Sequence, residues 1–397
     1  MSGPVTDIQA PGIQAHGEVL HNMRKEVAKL LNRTNPSFPG AQPVSFTRRH
    51  LDELMRQDYY VCEKSDGFRY LLYLTDDENR QECHYLIDRR NDFWYIPKGG
   101  LHFPIPRDVS GFHTNTLIDG ELVLDNLPNG GTQLKYLVFD CMVLDGNSLM
   151  NRTLDKRLAY FSERIFSPYQ ELLKDYPEEK EFMSFLMELK QMQFSYALEM
   201  MFRQILPQLP HGNDGLIFTC RSTEYKHGTD QHILKWKPEN ENSIDFKLSL
   251  DFPTAQPDSM DLAEGSTEPY IDYDAIPICN LWVHAGRDHA GNNKDEWYAT
   301  MHLEPEEWDK LKQLQEPLQD RIVECYMDAQ KRWRFMKFRD DKENANHTST
   351  VESVIESIRD RVTEKDLTSA AVRIRQEWKK RDKEKKAAAA PSTAPAV

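Results

Sequence analysis

Residues Glu63–Leu74 read EKSDGFRYLLYL, and the lysine in this stretch sets how the rest of the chain is read. Lys64 stands directly before Asp66 and Gly67, between two β-rich runs, YYVCEK (59–64) and FRYLLYL (68–74). The pattern predicts two short strands joined by a turn. Lysines are seldom nucleophiles, because the ammonium must first lose its proton, and a surrounding cluster of other cations eases that loss. K-x-D-G by itself arises by chance in roughly one chain of this length in ten. Taken alone it reads first as a strand ending in an Asp-Gly hairpin turn, with Lys64 as a solvated flank.

Working outward, short β-rich runs continue through HYLIDR (84–89), DFWYIP (92–97), TLIDGELVL (116–124) and LKYLVFDCMVL (134–144). Residues 153–206 change character, and KRLAYFSERIF, FMSFLMELKQM and LEMMFRQIL carry helix formers at helical spacing, predicting a mostly helical stretch. Strands return with GLIFTC (215–220) and HILKWK (232–237). Residues 251–277 hold seven acidic side chains and no Lys or Arg, the composition of an irregular surface loop. ICNLWVHAG, EWYATMHL, the helical EPEEWDKLKQL, RIVECYM and RWRFMKF then fit a small Greek-key barrel of OB type.

The expected organisation is a flexible arm over 1–20, a main domain over 21–243, a barrel domain over 244–347 and two helices over 348–380 that pack back on the core. A disordered tail over 381–397 follows. Ser349 with Glu352, and Thr363 with Asp366, have capping-box spacing at the starts of the two helices.

Across 397 residues the net charge is −14, which argues against a surface that coats nucleic acid everywhere but leaves room for a local phosphate cleft. There is no run of eighteen apolar residues and no charged-then-apolar leader, so the chain reads as neither membrane-spanning nor secreted. The six cysteines lie far apart in apolar contexts and read as buried thiols.

Alternation in TLIDGELVL puts Asp119 and Glu121 on one strand face, where carboxylates can accept hydrogen bonds from ribose hydroxyls; the plain alternative is an edge strand with a polar side. Asp214 opens GLIFT beside Gly215 and offers oxygen to a hard cation. Lys235 and Lys237 are two apart, so a strand would project both to one side while Leu234 and Trp236 enter the core. Paired ammoniums suit a triphosphate, although a solvated strand face explains them as well. RDDKENANH (339–347) is a polar block that, in isolation, is a loop with salt bridges.

In order and spacing, KSDGFR, LIDRRNDFWYI, LIDGELV, YLVFDC, NDGLIFT, ILKWKP and RDDKENANH resemble the covalent nucleotidyltransferase superfamily. Within it they resemble the eukaryotic mRNA capping guanylyltransferases, of the separate fungal type, to which QPVSF and HLDEL are also similar. Each segment alone is modest, and the ordered set is specific.

The resemblance implies an α+β fold: a nucleotidyltransferase domain, ATP-grasp-like as in ligases and capping enzymes, with antiparallel sheets and helices, plus a C-terminal OB-fold domain. It implies that Lys64 would attack the α-phosphate of GTP to leave lysyl-GMP. Gly67 would permit close backbone approach, and Arg69 and Glu121 would contact ribose and phosphate. Arg89 would lie toward the phosphates or the incoming RNA end. Phe139 would stack on guanine and Lys190 would read a guanine edge. Asp214 would help bind Mg2+ or Mn2+, and Lys235 with Lys237 would grip the α-phosphate. Arg339, Asp340 and Lys342, on the barrel, would address the leaving phosphates.

The implied partners are a 5′-diphosphate RNA end, a separate RNA 5′-triphosphatase subunit and the phosphorylated C-terminal tail of RNA polymerase II, with the nucleus as location and no membrane. A cysteine-phosphatase loop is not found in the sequence, so triphosphatase activity is expected from another protein. Two other readings stand beside this one. An ATP-dependent RNA or DNA ligase would use the same lysine as lysyl-AMP, and a scaffold would keep the fold without activity.

Overall fold

The computed structural model describes residues 11–389, apart from 239–242, 258–261, 263–264, 266, 288–290, 292, 329 and 361. The outer ends of the expected arm and tail, 1–10 and 390–397, lie outside the described residues. The chain divides into two units, one running to Trp236 and resuming at Glu364, the other spanning Lys237–Thr363.

The first unit opens with β1 (Ile13–Gln14), α1 (Gly17–Leu30), β2 (Ala41–Ser45), α2 (Arg49–Arg56), β3 (Tyr59–Ser65), β4 (Phe68–Asp76), β5 (Glu82–Ile87) and β6 (Phe93–Ile96). A small hairpin of β7 (Pro104–Ile105) and β8 (Asp108–Phe112) precedes the long pair β9 (Thr116–Asn126) and β10 (Thr132–Leu144). Then come β11 (Asn147–Ser148), α3 (Leu154–Phe161), α4 (Ser167–Asp175), β12 (Leu186–Leu189), β13 (Gln193–Phe194), α5 (Leu198–Met200), β14 (Asn213–Cys220) and β15 (Gly228–Trp236).

These strands form two sheets. One runs β1-β6-β5-β4-β9-β10-β11, with β12 also paired to β10; the other runs β13-β3-β14-β15-β2. FRYLLYL is apolar at nearly every position because both faces of β4 are covered. Leu72 and Leu74 enter one core with Phe161, Ile165 and Tyr169, while Leu71 and Tyr73 enter another with Val27 and Leu31. Each such buried side chain contributes roughly 1.5–3 kcal/mol of transfer free energy.

The second unit contains β16 (Ser243–Asp251), β17 (Thr254–Ala255), β18 (Tyr270–Ile271), β19 (Ile278–Arg287), β20 (Asn293–Met301), α6 (Pro305–Gln313), β21 (Ile322–Met327), β22 (Trp333–Phe338) and α7 (Thr348–Arg359). Five strands close into a barrel, β16-β19-β20-β22-β21, with Phe246, Leu281, Val323 and Trp333 in its core. This is the strand count of an OB-type barrel. The capping box of Glu304 and Glu307 starts α6.

Several expectations are corrected. FMSFLMELKQM is not wholly helical: Leu186–Leu189 is a strand parallel to β10, because Met187 and the preceding Phe185 are buried along that sheet and tertiary pairing overrides helix propensity. The arm is already structured by residue 13, where β1 pairs β6, and α1 begins at Gly17. The acidic segment is tied at its base by the β17–β18 ladder and by Phe252 against Tyr273 and Trp308.

The unit boundary falls at Trp236/Lys237, not at 243. The terminal helices also part company. α7 stays with the barrel through Val351, and its cap is His347, whose ring accepts from the Ser349 N–H at 3.3 Å. Only α8 (Glu364–Ala389) belongs with the first unit. It is ordered through Ala389 because Leu367 and Ile374 are buried, Trp378 packs on Phe194 and Tyr196, and Arg381 and Lys385 both reach Asp58 at 2.9 Å. All six cysteines are buried and free.

Candidate active site

Lys64 lies near the end of β3, whose antiparallel partner is β14. The ladder slips between Asn213 and Leu216, where Gly215 takes φ +144°, a value that favours glycine. The bulge turns Asp214 toward the nucleophile candidate, and Lys64 Nζ donates to Asp214 Oδ1 at 2.7 Å. The immediate charged neighbour of Lys64 is therefore an anion, which corrects the picture of a lysine ringed by cations. The backbone joins the same corner, since the Asp66 N–H donates to the Gly212 carbonyl at 2.9 Å.

The expected close approach at Gly67 is to the protein itself. A Cβ there would meet the Leu122 carbonyl oxygen and, at 2.9 Å, Val123 Cγ1, so only glycine lets β3 turn into β4 against β9.

Arg69, on β4, is opposite Glu121 on β9 but reaches diagonally to Asp119. Nε donates to Oδ1 at 2.9 Å and Nη2 to Oδ2 at 2.6 Å, a bidentate pair in which Asp119 is 1% exposed. Nη1 donates to the Ala41 carbonyl, while the Tyr225 hydroxyl donates to Asp119 Oδ2 at 2.6 Å and accepts the Ala41 N–H at 2.9 Å. This network joins the two sheets through β2, β4 and β9. Burial would push the Arg69 guanidinium down, but Asp119 and its neighbours hold it up. Asp119 therefore faces Arg69 inside the protein, and Glu121 is the half-buried carboxylate of the pair.

Phe139 sits at an irregularity of β10, between Val138 and Asp140, with the Arg69 guanidinium 5.6 Å from its ring centre. The carboxylate beside it, Asp140, turns into the core. It accepts from Arg157 at 2.6 and 2.7 Å, and burial nevertheless raises its carboxyl above the usual range.

Lys190 follows β12 and is only 6% exposed. Its ammonium donates to Ser65 Oγ and lies 3.3 Å from Glu63 and 3.6 Å from Glu121. Burial disfavours its charge, and the surrounding Cys62, Glu121 and Glu63 more than reverse that. Arg89 is exposed as a residue, yet desolvation by the surrounding protein and the like charge of Arg69 push its guanidinium down.

Lys235 is half-buried on β15, with Leu234 and Trp236 in the core as alternation predicts. Lys237 is past the strand end and falls in the second unit, where it acts on Glu324. The block Arg339–Lys342 also belongs to the second unit. Arg339 grips Asp341 at 2.9 Å through two nitrogens and Asp245 at 3.0 Å; Lys342 donates to Asp245, and Asp340 accepts from Arg321 at 2.8 Å. The Arg339 hydrogen bonds hold the Asp341 carboxyl down to about 2.

Sequence reasoning passed over a buried relay behind the lysine. His211 Nδ1 is 2.7 Å from Asp125, its Nε2 is 3.7 Å from Glu63, and Lys135 continues to Asp125 at 2.9 Å. Burial alone would lower the His211 pKa, but the hydrogen bond to Asp125 and the nearby Glu63 carboxylate raise it to about 9. Its signal was a histidine in the turn HGND just before Asp214, with Glu63 directly before Lys64.

Among the described residues no group of three His, Cys, Asp or Glu stands together as a metal cage. Asp214 supplies one hard oxygen beside Lys64, which fits a magnesium-type ion held through a single carboxylate and substrate phosphates.

The catalytic domain of the mRNA capping enzyme matches residues 5–239, and the C-terminal domain of the mRNA capping enzyme matches 241–368. The chain belongs to the mRNA capping enzyme family. Its similarity to an mRNA-capping enzyme subunit alpha of Neurospora crassa is 53% identity over 388 residues, covering 97% of this chain and 96% of that protein. The subunit alpha of Schizosaccharomyces pombe is 45% identical, covering 96% and 91%, and that of Saccharomyces cerevisiae is 36% identical, covering 94% and 87%. The capping-family match to the catalytic domain encloses Lys64, Arg69, Glu121, Phe139, Lys190, Asp214 and Lys235. Ligase chemistry is not favoured by these relatives.

Proposed function

We propose that this protein moves GMP from GTP to the 5′-diphosphate end of RNA through a covalent intermediate on Lys64. The observation that carries this reading is the Lys64–Asp214 pair, set in a ladder bulge of a capping-family catalytic domain. In the first step the uncharged Lys64 Nζ attacks the α-phosphorus of GTP. A P–N bond forms as Nζ sheds one N–H proton to solvent, the bond to the bridging oxygen of the β-phosphate breaks, and pyrophosphate leaves. In the second step a β-phosphate oxygen of the RNA end attacks the same phosphorus, the P–N bond breaks, and the lysine takes back a proton as GpppN departs.

Transfer of this kind depends on positioning and on neutralising charge. We assign Phe139 to stack on guanine, Lys190 to the guanine edge and Glu121 to the ribose. Arg69 shapes that wall through its contacts with Asp119 and Phe139. Arg89, Lys235 and Lys237 are assigned to phosphate, and Arg339, Asp340 and Lys342 to the departing pyrophosphate. Asp214 would hold Mg2+ or Mn2+, which would neutralise phosphate charge beside the lysine.

The relatives' name, subunit alpha, supports a second subunit, and we infer that it supplies RNA 5′-triphosphatase activity. Nuclear location and docking on the phosphorylated RNA polymerase II tail follow from the same reading. No helix among the described residues is long and apolar enough to cross a membrane.

The test is incubation with α-labelled GTP or ATP and magnesium. An acid-labile adduct from GTP alone, discharged by diphosphate-ended RNA into a capped product, is expected. An adduct formed only from ATP would sink the guanylyltransferase reading.

A further inference from the structure

An open cleft of about 560 Å³ in the first unit has three arginines, Arg24, Arg89 and Arg90, and no carboxylate in its lining, although the chain carries a net charge of −14. Arg89 and Arg90 are presented by a firmly held turn between β5 and β6. Asp88 Oδ1 accepts the N–H groups of Arg90 and Asp92 at 2.9 Å each, and Asn91 at φ +64° donates to the Pro36 carbonyl. Arg24 on α1 donates to the Asn91 carbonyl and to Asp92, both at 2.8 Å.

Both acids of the turn are thereby used internally, since Asp88 also accepts from Trp94 at 3.2 Å. The side chains of Arg89 and Arg90 are exposed, and neither has a hydrogen-bond or ion-pair partner among the described residues. The cleft lies beside the candidate active site. Its lining residue Phe38 is 5.7 Å from the Arg69 guanidinium, and Arg89 feels the charges of Arg69, Glu121 and Asp119.

We propose that this cleft is the track for the acceptor RNA, with Arg90 on the backbone phosphates next to the 5′-diphosphate, Arg24 holding the turn through Asp92, and Phe38 as a ring for the first base to stack on. The proposal rests on the guanylyltransferase reading. Fixed cations alternating with an aromatic ring suit a single strand, whose phosphates and bases both need a surface. A phosphopeptide is the competing occupant. RNA is favoured because Phe38 in the cleft packs beside Arg69 of the wall at which the acceptor end has to arrive, a neighbourhood that a docking peptide does not need.

The test separates the two half-reactions. Full-length Arg90→Glu is labelled by GTP, then given 5′-diphosphate RNA of about ten nucleotides at several salt concentrations. Labelling like the wild type is expected, with KM for RNA raised about tenfold. The slope of log affinity against log salt falls by about 0.7, the change that accompanies removal of one cation from a single-stranded phosphate backbone. Arg90→Lys should restore most of the affinity.

An unchanged KM for RNA overturns the proposal. So does loss of labelling, which would place Arg90 in the first step, and so does an effect confined to binding of a phosphoserine heptad peptide. If the wild-type protein takes no GMP at all, the guanylyltransferase reading itself fails, a result distinguishable from all of these.

Discussion

Two cation–carboxylate clusters in this chain use the same residue types differently. In the first unit Arg69 and Asp119 form a bidentate pair with side chains 9% and 1% exposed, locked further by Tyr225 and Ala41. In the barrel, Arg339 and Lys342 share Asp245 with side chains 22% and 32% exposed, and Asp340 is open at 76%. The first cluster cannot exchange its partners without unfolding its surroundings. In the second, Asp341 and Asp340 are open to solvent at 64% and 76% and can yield a cation to a phosphate at small cost, whereas the shared Asp245 is itself buried at 7%. Within the proposed mechanism the contrast separates a fixed wall, which orients the nucleotide, from replaceable pairs suited to a transient anion.

The largest expected effect bears on neither cluster but on Lys64, the proposed nucleophile. Lys64→Ala should abolish labelling by GTP with the unfolding midpoint nearly unchanged, because the Lys64–Asp214 pair is partly exposed. Labelling that survives in this variant would move the nucleophile elsewhere and make both clusters bystanders.

Asp119→Asn tests the fixed wall. It leaves a buried guanidinium without its counter-charge, so a loss of about 3–5 kcal/mol in stability is expected in thermal or urea unfolding. A change below about 1 kcal/mol would mean that Arg69 relaxes to solvent, and the two clusters would then be of one kind.

A smaller effect is expected from His211→Gln. The folded His211 pKa of about 9 is raised above its unfolded value near 6.5. Its contribution is thus fully present below about pH 6.5 and is lost as pH rises through about 9. The size is of the order of 2–3 kcal/mol, shared with Asp125 and Glu63. Unfolding free energies measured from pH 6 to 10 should show a steeper alkaline decline for the wild type than for the variant. Parallel curves would remove the relay behind Lys64 from the fixed wall.

How much of this was legible follows from which interactions are local. The order of motifs around Lys64, the strand alternation at Leu234 and Trp236, and the barrel segments are written in spacing and periodicity, and each reads directly. The strand at Leu186–Leu189 did not, because its helix-forming residues are overruled by a parallel edge on β10 that no nearby residue announces. The anion beside Lys64 depends on a bulge in a ladder between residues 150 positions apart. Glu63, Asp125 and His211 likewise meet only after three separate elements fold. Lys235 and Lys237 keep the spacing that was read as one strand face, although β15 itself ends at Trp236, one residue before the second lysine.

The sharpest test of the comparison is the mildest in stability. Arg339→Ala removes hydrogen bonds to the exposed Asp341 and the buried Asp245; Asp341 retains solvent and Asp245 retains Lys342, so stability should fall by about 1–2 kcal/mol, less than for Asp119→Asn. If the block serves the departing pyrophosphate, exchange of labelled pyrophosphate into GTP should drop about tenfold, while transfer of GMP from preformed lysyl-GMP to RNA is retained. That split is not available to a purely structural salt bridge, which would depress both half-reactions together with the unfolding midpoint. A variant that melts like Asp119→Asn and loses both half-reactions would show that the barrel cluster, too, is a fixed wall.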